Sequence, residues 1–262
     1  MSDADYETLQ VDIADRIGRV TIDRPERMNA ISPTLLDELA DAIGVLESND
    51  DVRVVVLAGA GDRAFSAGAD LSVITEGNAV DVAEISRKGQ ETFATVKECS
   101  MPVIAAIDGF CLGGGMELAT HADLRIATED ARFGQTEHNL GLMPGWGGTQ
   151  RLQRIVGEGR AKEIIFTAEH FDAETMADYG FLNEVRPEDA FDDRVDELAT
   201  DLAAGPPIAQ ELTKRAMHKG QDDIDAGLEI ESRAFGLLRD TDDLLEGIDA
   251  FQADRDPAFT GE

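Results

Sequence analysis

The sequence predicts an α/β fold that ends in a helical tail, and three patterns support this prediction. Short apolar runs with strand character recur through the first part of the chain, and longer amphipathic runs separate them. After Pro144 the pattern becomes mainly helical. The chain has 262 residues, 42% of them hydrophobic, so it can bury a sizeable core in one large domain or in a core with an appendage.

Six segments carry the strand pattern, and β-branched or other apolar residues dominate them. In chain order they are 6–13, 17–22, 52–58, 103–107, 124–127 and 183–185. Helical segments alternate with these strands, and the clearest one begins with Ser32 as N-cap and Pro33 at the first helical position. Its apolar face is formed by Leu35, Leu36, Leu39, Ile43 and Leu46.

The second half of the chain adds mostly helices. They are predicted at 148–156, 161–166, 173–177 and 190–203, and beyond Gly205-Pro206-Pro207 at 208–218, 224–238 and 242–253. A further helix is predicted in the first half, at 82–96. We therefore expect an α/β core of residues 1–195, which holds the functional site, and a helical C-terminal subdomain of residues 196–262. No internal repeat is visible in the sequence.

The charge of the chain is extreme, with 54 acidic against 23 basic residues and a formal net charge of −31. Acidic residues are spread throughout the chain, which is typical of proteins from high-salt environments. At molar salt the Debye length falls to about 3 Å, so self-repulsion that would loosen the fold is screened. We expect a halophilic protein with salt-dependent stability; an ordinary acidic protein is the alternative. Nucleic-acid and anionic-membrane partners are not expected, because they bind basic patches.

The sequence contains no sign of membrane insertion, export or metal binding. No apolar run approaches the roughly 18 residues of a membrane span, and the acidic segment 1–12 lacks a signal-peptide core, so we expect a cytoplasmic protein. Cys99 and Cys111 have no disulfide or metal-site spacing, and the histidines show no ligand pattern. Glycine-rich nucleotide-binding motifs with the required spacing are missing as well.

Two glutamates, each after a glycine-rich or glycine-containing run, are the strongest functional signal. Glu117 lies in CLGGGMELA, and Glu137 lies in FGQTEHNLGLMPGWGGTQR. One carboxylate can take a proton from water while a second carboxyl group delivers a proton to carbon, provided that both reach the substrate. The glycine triplet lets backbone N–H groups approach a carbonyl oxygen at the start of a helix, and a second donor is expected in FSAGADL.

Each motif alone has a simpler interpretation. A glycine triplet is most often a tight turn, and most helical glutamates are solvated surface residues. Spacing along the chain does not show that two side chains face each other.

Four segments in the same order resemble the enoyl-CoA hydratase/isomerase family, also called the crotonase superfamily. They are IDRPERMNAIS, FSAGADL, the segment 101–127 and FGQTEHNLGLMPGWGGTQRL. The resemblance implies a spiral of ββα units with a C-terminal helical tail that packs over the acyl pocket of its own or a neighbouring subunit. It also implies homotrimers or hexamers built from two trimers.

The resemblance assigns roles to the motif residues. The N–H groups of Ala69 and Gly114 would form an oxyanion hole for a thioester oxygen, and Gly145 would be a backbone donor near the attacking water. Glu117 would activate that water, and Glu137 would exchange a proton with C2. Retention of both acids implies reversible syn addition of water to trans-2-enoyl-CoA, with no cofactor beyond the coenzyme A of the substrate. An enoyl-CoA isomerase that uses Glu137 alone, or a non-catalytic acyl-CoA-binding subunit, are the alternatives.

Coenzyme A recognition is implied along two segments, largely through backbone groups. The candidate residues are Arg27, Asn29, Ala30, Ala67, Gly68, Asp70 and Leu71, with Arg27 positioned to meet a phosphate. The tail departs from the family pattern, because Asp254 stands where relatives often have a lysine and Arg255 follows it. Trp146, the only tryptophan, replaces a small residue of many relatives; it either packs structurally or narrows the acyl pocket towards short chains.

Overall fold

The structure is a computed structural model that describes residues 6–75 and 77–262, so the first five residues of the acidic start lie outside it. Its strands are β1 (Leu9–Ala14), β2 (Ile17–Ile22), β3 (Val54–Gly59), β4 (Ala64–Ser66), β5 (Val103–Ile107), β6 (Phe110–Leu112), β7 (Leu124–Thr128), β8 (Arg132–Gly134), β9 (Phe171–Asp172) and β10 (Glu184–Arg186).

Helices cover both faces and form the tail. They are α1 (Pro33–Glu47), α2 (Ser72–Thr75), α3 (Ala79–Glu98), α4 (Gly114–Ala119), α5 (Gly148–Val156), α6 (Glu158–Thr167), α7 (Ala173–Asp178), α8 (Glu188–Ala203), α9 (Pro207–Gly220), α10 (Ile224–Leu237) and α11 (Asp242–Ala253). Short 3-10 turns occupy Pro25–Arg27, Thr136–Leu140 and Leu238–Asp240. Among the helices that the structure describes, none is long and apolar enough to cross a membrane.

The described strands form two sheets. The larger has the order β1-β2-β3-β5-β7-β10, parallel except for β1, and the smaller has the order β4-β6-β8-β9, parallel except for β9. Three pairs of consecutive strands connect the two sheets: β3 with β4, β5 with β6, and β7 with β8. In each pair the first strand belongs to the larger sheet and the second to the smaller sheet, and a helix or a 3-10 turn follows the pair. The expected spiral of ββα units with a helical tail is confirmed.

The core is built from apolar faces that the sequence makes visible. Helix α1 begins as predicted, with the Ser32 hydroxyl accepting a hydrogen bond from Leu35 N, and its predicted leucine and isoleucine face is buried. Each fully buried side chain of this kind stabilises the fold by roughly 1.5–3 kcal/mol. On the opposite side, Phe191, Val195 and Ala199 of α8 pack against β3, β5 and β7 of the larger sheet.

Two features differ from the sequence-based expectations. Strands β4, β6, β8 and β9 were not predicted, because two or three residues carry no readable periodicity. The boundary expected between residues 195 and 196 falls inside α8, whose buried residues extend to Ala203. The helical tail therefore starts after α8, with α9, α10 and α11.

Candidate active site

The three sequence motifs meet because they follow three neighbouring parallel strands of the smaller sheet. Ala69 lies just beyond β4, Gly114 just beyond β6, and Glu137 just beyond β8. The carboxyl ends of parallel strands share one edge of a sheet, and ligands bind there in many α/β proteins. Repetition of the ββα unit thus brings together segments that are far apart in the sequence.

Two backbone N–H groups at this edge are free to bind an oxygen atom. Gly68 and Gly113 adopt φ angles of 107° and 48°, a region that favours glycine, and they turn the chain so that the next residues approach each other. A Cβ atom added to Gly114 would lie 3.4 Å from Ala69 N. Within the described residues, neither Ala69 N nor Gly114 N has a hydrogen-bond acceptor.

Glu117 is held in one orientation although its side chain is buried, at 2% exposure. Its Oε1 accepts hydrogen bonds of 2.8 Å from the N–H groups of Trp146 and Gly148. Burial raises the pKa of Glu117 to about 7, while the N–H groups of Gly148, Trp146 and Gly145 act in the opposite direction. The ionised form is therefore accessible near neutral pH.

Glu137 has a different environment. A Cβ atom on Gly113 would lie 3.2 Å from its Oε1, so the carboxyl group lies against the glycine triplet. Burial, and then the negative charge of Glu117, raise the pKa of Glu137 to about 8. The fully buried Gln135 amide, with its nitrogen turned towards Glu137, lies 3.1 Å from both carboxyl oxygens. The two carboxyl groups are thus close enough to interact, and their environments separate their protonation states.

The loop that holds Glu117 is itself anchored to α3. Ser86 Oγ and Gln90 Nε2 donate hydrogen bonds of 2.7 and 2.8 Å to the Gly145 carbonyl oxygen. These contacts fix the loop that presents the N–H groups of Trp146 and Gly148 to the carboxylate. Sequence reasoning missed Ser86 and Gln90, because nothing in the sequence of a helix indicates which distant carbonyl group it contacts.

A cavity of about 310 Å³ connects these groups. Ala69, Gly114, Glu117 and Glu137 line it together with apolar residues of α3 and of the segment 140–146. Trp146 also lines the cavity, with only 5% of its surface exposed. The arrangement can bind an oxygen at two N–H groups and place two carboxyl groups beside the same ligand.

Comparison with known proteins places this arrangement in a family. The sequence model of the enoyl-CoA hydratase/isomerase family matches residues 12–262. The chain belongs to the enoyl-CoA hydratase/isomerase family. It is 41% identical to a short-chain-enoyl-CoA hydratase of Clostridium acetobutylicum, over 90% of this chain and 91% of that protein. It is 38% identical to a crotonyl-CoA hydratase of Syntrophomonas wolfei, over 97% of this chain and 98% of that protein.

A solved structure agrees with this family assignment. The crystal structure of an enoyl-CoA hydratase from Bacillus anthracis superimposes with a TM-score of 0.93 at 39% identity, and the match covers 98% of this chain and 100% of that chain. The enoyl-CoA hydratase/isomerase fold predicted from the sequence motifs is therefore confirmed along nearly the whole chain.

The expected coenzyme A residues of the family lie in two different environments. Ala67, Gly68 and Leu71 line the cavity, and Arg27 is exposed on the 3-10 turn before α1. The Ala30 carbonyl accepts a hydrogen bond from the Arg24 guanidinium. These coenzyme A assignments stay predictions.

The side chains of Asn29 and Asp70 are engaged within the protein. Asn29 is fully buried, and its amide donates to the carbonyl oxygens of Ala60 and Ala64. Asp70 forms an ion pair of 3.2 Å with Arg24. These two side chains shape the loops of the site.

The end of the chain lies apart from the cavity lining. Asp254 ends α11 in a left-handed conformation, and Arg255 forms a two-pronged ion pair with Glu246, at 2.6 and 2.9 Å. The Arg255 guanidinium is therefore already paired with a carboxylate of its own helix segment.

Proposed function

We propose that the protein is an enoyl-CoA hydratase that adds water reversibly, in syn fashion, to trans-2-enoyl-CoA and forms 3-hydroxyacyl-CoA. The main support is the pair of buried carboxyl groups, Glu117 and Glu137, in unlike environments beside two unpaired N–H groups. The hydratases among its relatives, matched over nearly their full length, favour the same activity.

In the proposed reaction the thioester oxygen binds the N–H groups of Ala69 and Gly114. Ionised Glu117 removes a proton from water as the water oxygen bonds to C3, and protonated Glu137 donates its proton to C2. Negative charge that develops on the thioester oxygen is stabilised by the two donors, each contributing roughly 3 kcal/mol. Glu137 ends ionised beside the Gln135 amide, and proton exchange between the carboxyl groups and solvent restores the starting state.

A double-bond isomerase is the second candidate, since the family name covers that activity as well. Isomerisation needs one proton-transfer group that serves C2 and C4, and it needs no activated water. The backbone donors that hold the Glu117 carboxylate favour hydration, because they stabilise a second base that an isomerase would not use. A non-catalytic acyl-CoA-binding subunit would have no need for two acids with raised pKa values.

The activity is tested by the loss of conjugated thioester absorbance of crotonyl-CoA in high salt. Wild type should hydrate the substrate, and Glu117→Gln and Glu137→Gln should each lower kcat by a factor of about 100 or more. Glu129→Gln is the matched control, because Glu129 is exposed on the surface. Full activity of Glu117→Gln towards a 3-enoyl-CoA, without hydration by wild type, would establish the isomerase instead.

We also propose a halophilic, oligomeric protein, a homotrimer or a hexamer of two trimers. The tail exposes large apolar side chains such as Phe235 at 81% and Phe251 at 88%, on a chain whose net charge is −31. Exposed apolar clusters mark interaction sites, so a subunit contact is expected on the tail. Sedimentation at about 3 M and about 0.1 M KCl tests the assembly, which a monomer at both salt concentrations would contradict.

A further inference from the structure

The Trp146 ring fills a notch that two glycines create. A Cβ atom on Gly89, in the middle of α3, would lie 2.2 Å from Cδ1 and 2.3 Å from Nε1 of this ring. A Cβ atom on Gly114 would lie 2.4 Å from Cζ3 of the same ring. The indole therefore lies between α3 and the backbone donor at Gly114.

Gly89 has no conformational reason to be glycine. It lies inside a helix of 20 residues without a positive φ angle, and glycine is unfavourable in helix interiors. Its closest neighbours are the ring atoms of Trp146, so the missing side chain makes room for the indole. The glycine at 89 and the tryptophan at 146 act as a matched pair.

A buried aromatic side chain packs behind the ring. Phe93, fully buried on the next turn of α3, packs edge-on against Trp146 with ring centroids 5.5 Å apart. Phe93 in turn contacts His121. Phe93 and Trp146 belong to the same buried hydrophobic core, so core side chains back the indole on this side.

We propose that the Trp146–Gly89 pair limits the acyl group to short chains, such as four carbons. This inference rests on the proposed hydratase function. With the thioester oxygen at Ala69 and Gly114, the first acyl carbons lie beside the indole, and the ring occupies the volume that a longer tail would need. Adding or removing one methylene in an apolar pocket changes specificity by roughly 10- to 200-fold.

The first test measures binding without turnover. Trp146 is the only tryptophan, so tryptophan emission, excited at a wavelength that tyrosine does not absorb, reports on the surroundings of this one ring. Titration in high salt compares coenzyme A, butyryl-CoA and octanoyl-CoA. We expect butyryl-CoA to change the emission more than coenzyme A does, and octanoyl-CoA to bind at least about 10-fold more weakly than butyryl-CoA. Equal affinity for the two acyl groups would overturn the proposal.

The second test uses a cycle of variants, with crotonyl-CoA and 2-octenoyl-CoA as substrates. Trp146→Ala should raise the ratio of kcat/KM for octenoyl over crotonyl by at least about 10-fold. Gly89→Ala should lower crotonyl activity, because the new methyl group pushes the ring into the cavity. In the Trp146→Ala background the same Gly89→Ala change should have little effect.

The outcomes separate this proposal from the proposed function. Wild type that binds butyryl-CoA preferentially but hydrates no enoyl-CoA would contradict the hydratase and leave the acyl limit supported. Wild type that hydrates both substrates with equal kcat/KM, or a Trp146→Ala variant with an unchanged ratio, would contradict the acyl limit alone. If Trp146→Ala does not fold, Trp146→Phe removes part of the ring and should shift the ratio in the same direction.

Discussion

Acidification from pH 7.5 to pH 5.5 should lower the activity far more than it would if Glu117 had the pKa of an ordinary glutamate. With a pKa of about 7, Glu117 is ionised in roughly 75% of molecules at pH 7.5 and in roughly 3% at pH 5.5. In the proposed reaction hydration needs ionised Glu117, and the titration of this group alone lowers kcat/KM roughly 25-fold. Over the same range Glu137, with a pKa of about 8, becomes fully protonated, so the net fall in kcat/KM should be roughly 20-fold. With the unshifted value of 4.5, the ionised fraction of Glu117 would fall by only about 1.1-fold over the same range.

The assay is the initial rate of crotonyl-CoA hydration below KM, at constant high salt, from about pH 5.5 to pH 9.5. The ratio kcat/KM reports the groups of the free enzyme. Loss of the Glu137 proton, with a pKa of about 8, should produce a similar fall on the alkaline side. Because the two carboxyl groups interact, the limbs give apparent pKa values of the pair. Butyryl-CoA binding and thermal unfolding, measured at each pH, separate chemistry from binding and from denaturation.

A fall of less than about twofold between pH 7.5 and pH 5.5, with the protein folded and butyryl-CoA still bound, would refute the reasoning. It would mean that the N–H groups of Trp146 and Gly148 outweigh the cost of burying the Glu117 charge.

Three further predictions concern support of the site and stability. The folded protein keeps a proton on Glu137 that the unfolded chain loses above about pH 4.5, so the associated stability is complete below that pH and is lost as the pH rises towards 8. Glu137→Gln should therefore unfold at a higher temperature than wild type at pH 8, and at a similar temperature at pH 4.5. Replacing Ser86 and Gln90 together by alanine removes both hydrogen bonds to the Gly145 carbonyl group. We expect kcat to fall about 10-fold with little change in KM, and the acid limb of the pH profile of kcat/KM to move to higher pH. Raising KCl from about 0.1 to about 3 M should raise the unfolding temperature, whereas equal stability in low salt would contradict the halophilic interpretation.

Local features of the sequence predicted most of the scaffold. Sequence patterns predicted the Ser32 cap and the apolar face of α1, because both depend on residues within a few turns of one helix. They also predicted strands β2 and β5, which are short runs rich in apolar residues. Helix α4 was predicted from the glycine triplet that opens it, and the structure places its start at Gly114.

The small sheet that carries the site could not be predicted in this way. Strands β4, β6 and β8 have three residues each, and they exist because each pairs with strands from other ββα units. The sequence still indicated where they lie, because the motifs that follow these strands contain the glycines and acidic residues that a backbone anion site needs. The motifs therefore indicated the residues of the candidate site, while the elements that hold these residues became visible only in three dimensions.

The sequence analysis also missed residues that position a site residue or its loop by a hydrogen bond. Gln135 contacts Glu137 two positions along the chain, and a buried amide before a glutamate is a signal that sequence reasoning could have used. Ser86 and Gln90 donate hydrogen bonds to a backbone carbonyl group that lies 55 or more positions away in the sequence. Every residue has such a carbonyl group. No residue-type pattern distinguishes such an acceptor.

In the proposed mechanism, the loop 144–148 affects the choice of acyl chain and the support of Glu117 through different groups. Trp146 supports Glu117 through its backbone N–H, and this donor survives any substitution except proline. Its ring faces Gly89, so a substitution that changes the ring leaves the hydrogen bond that holds Glu117 in place. Gly148 has no such freedom, because a Cβ atom there would lie 2.9 Å from Oε1 of Glu117. Substitution of Trp146 by a residue other than proline should consequently change the chain-length preference and have little effect on kcat for crotonyl-CoA. Gly148→Ala, in contrast, should displace the Glu117 carboxylate and lower kcat for every acyl chain.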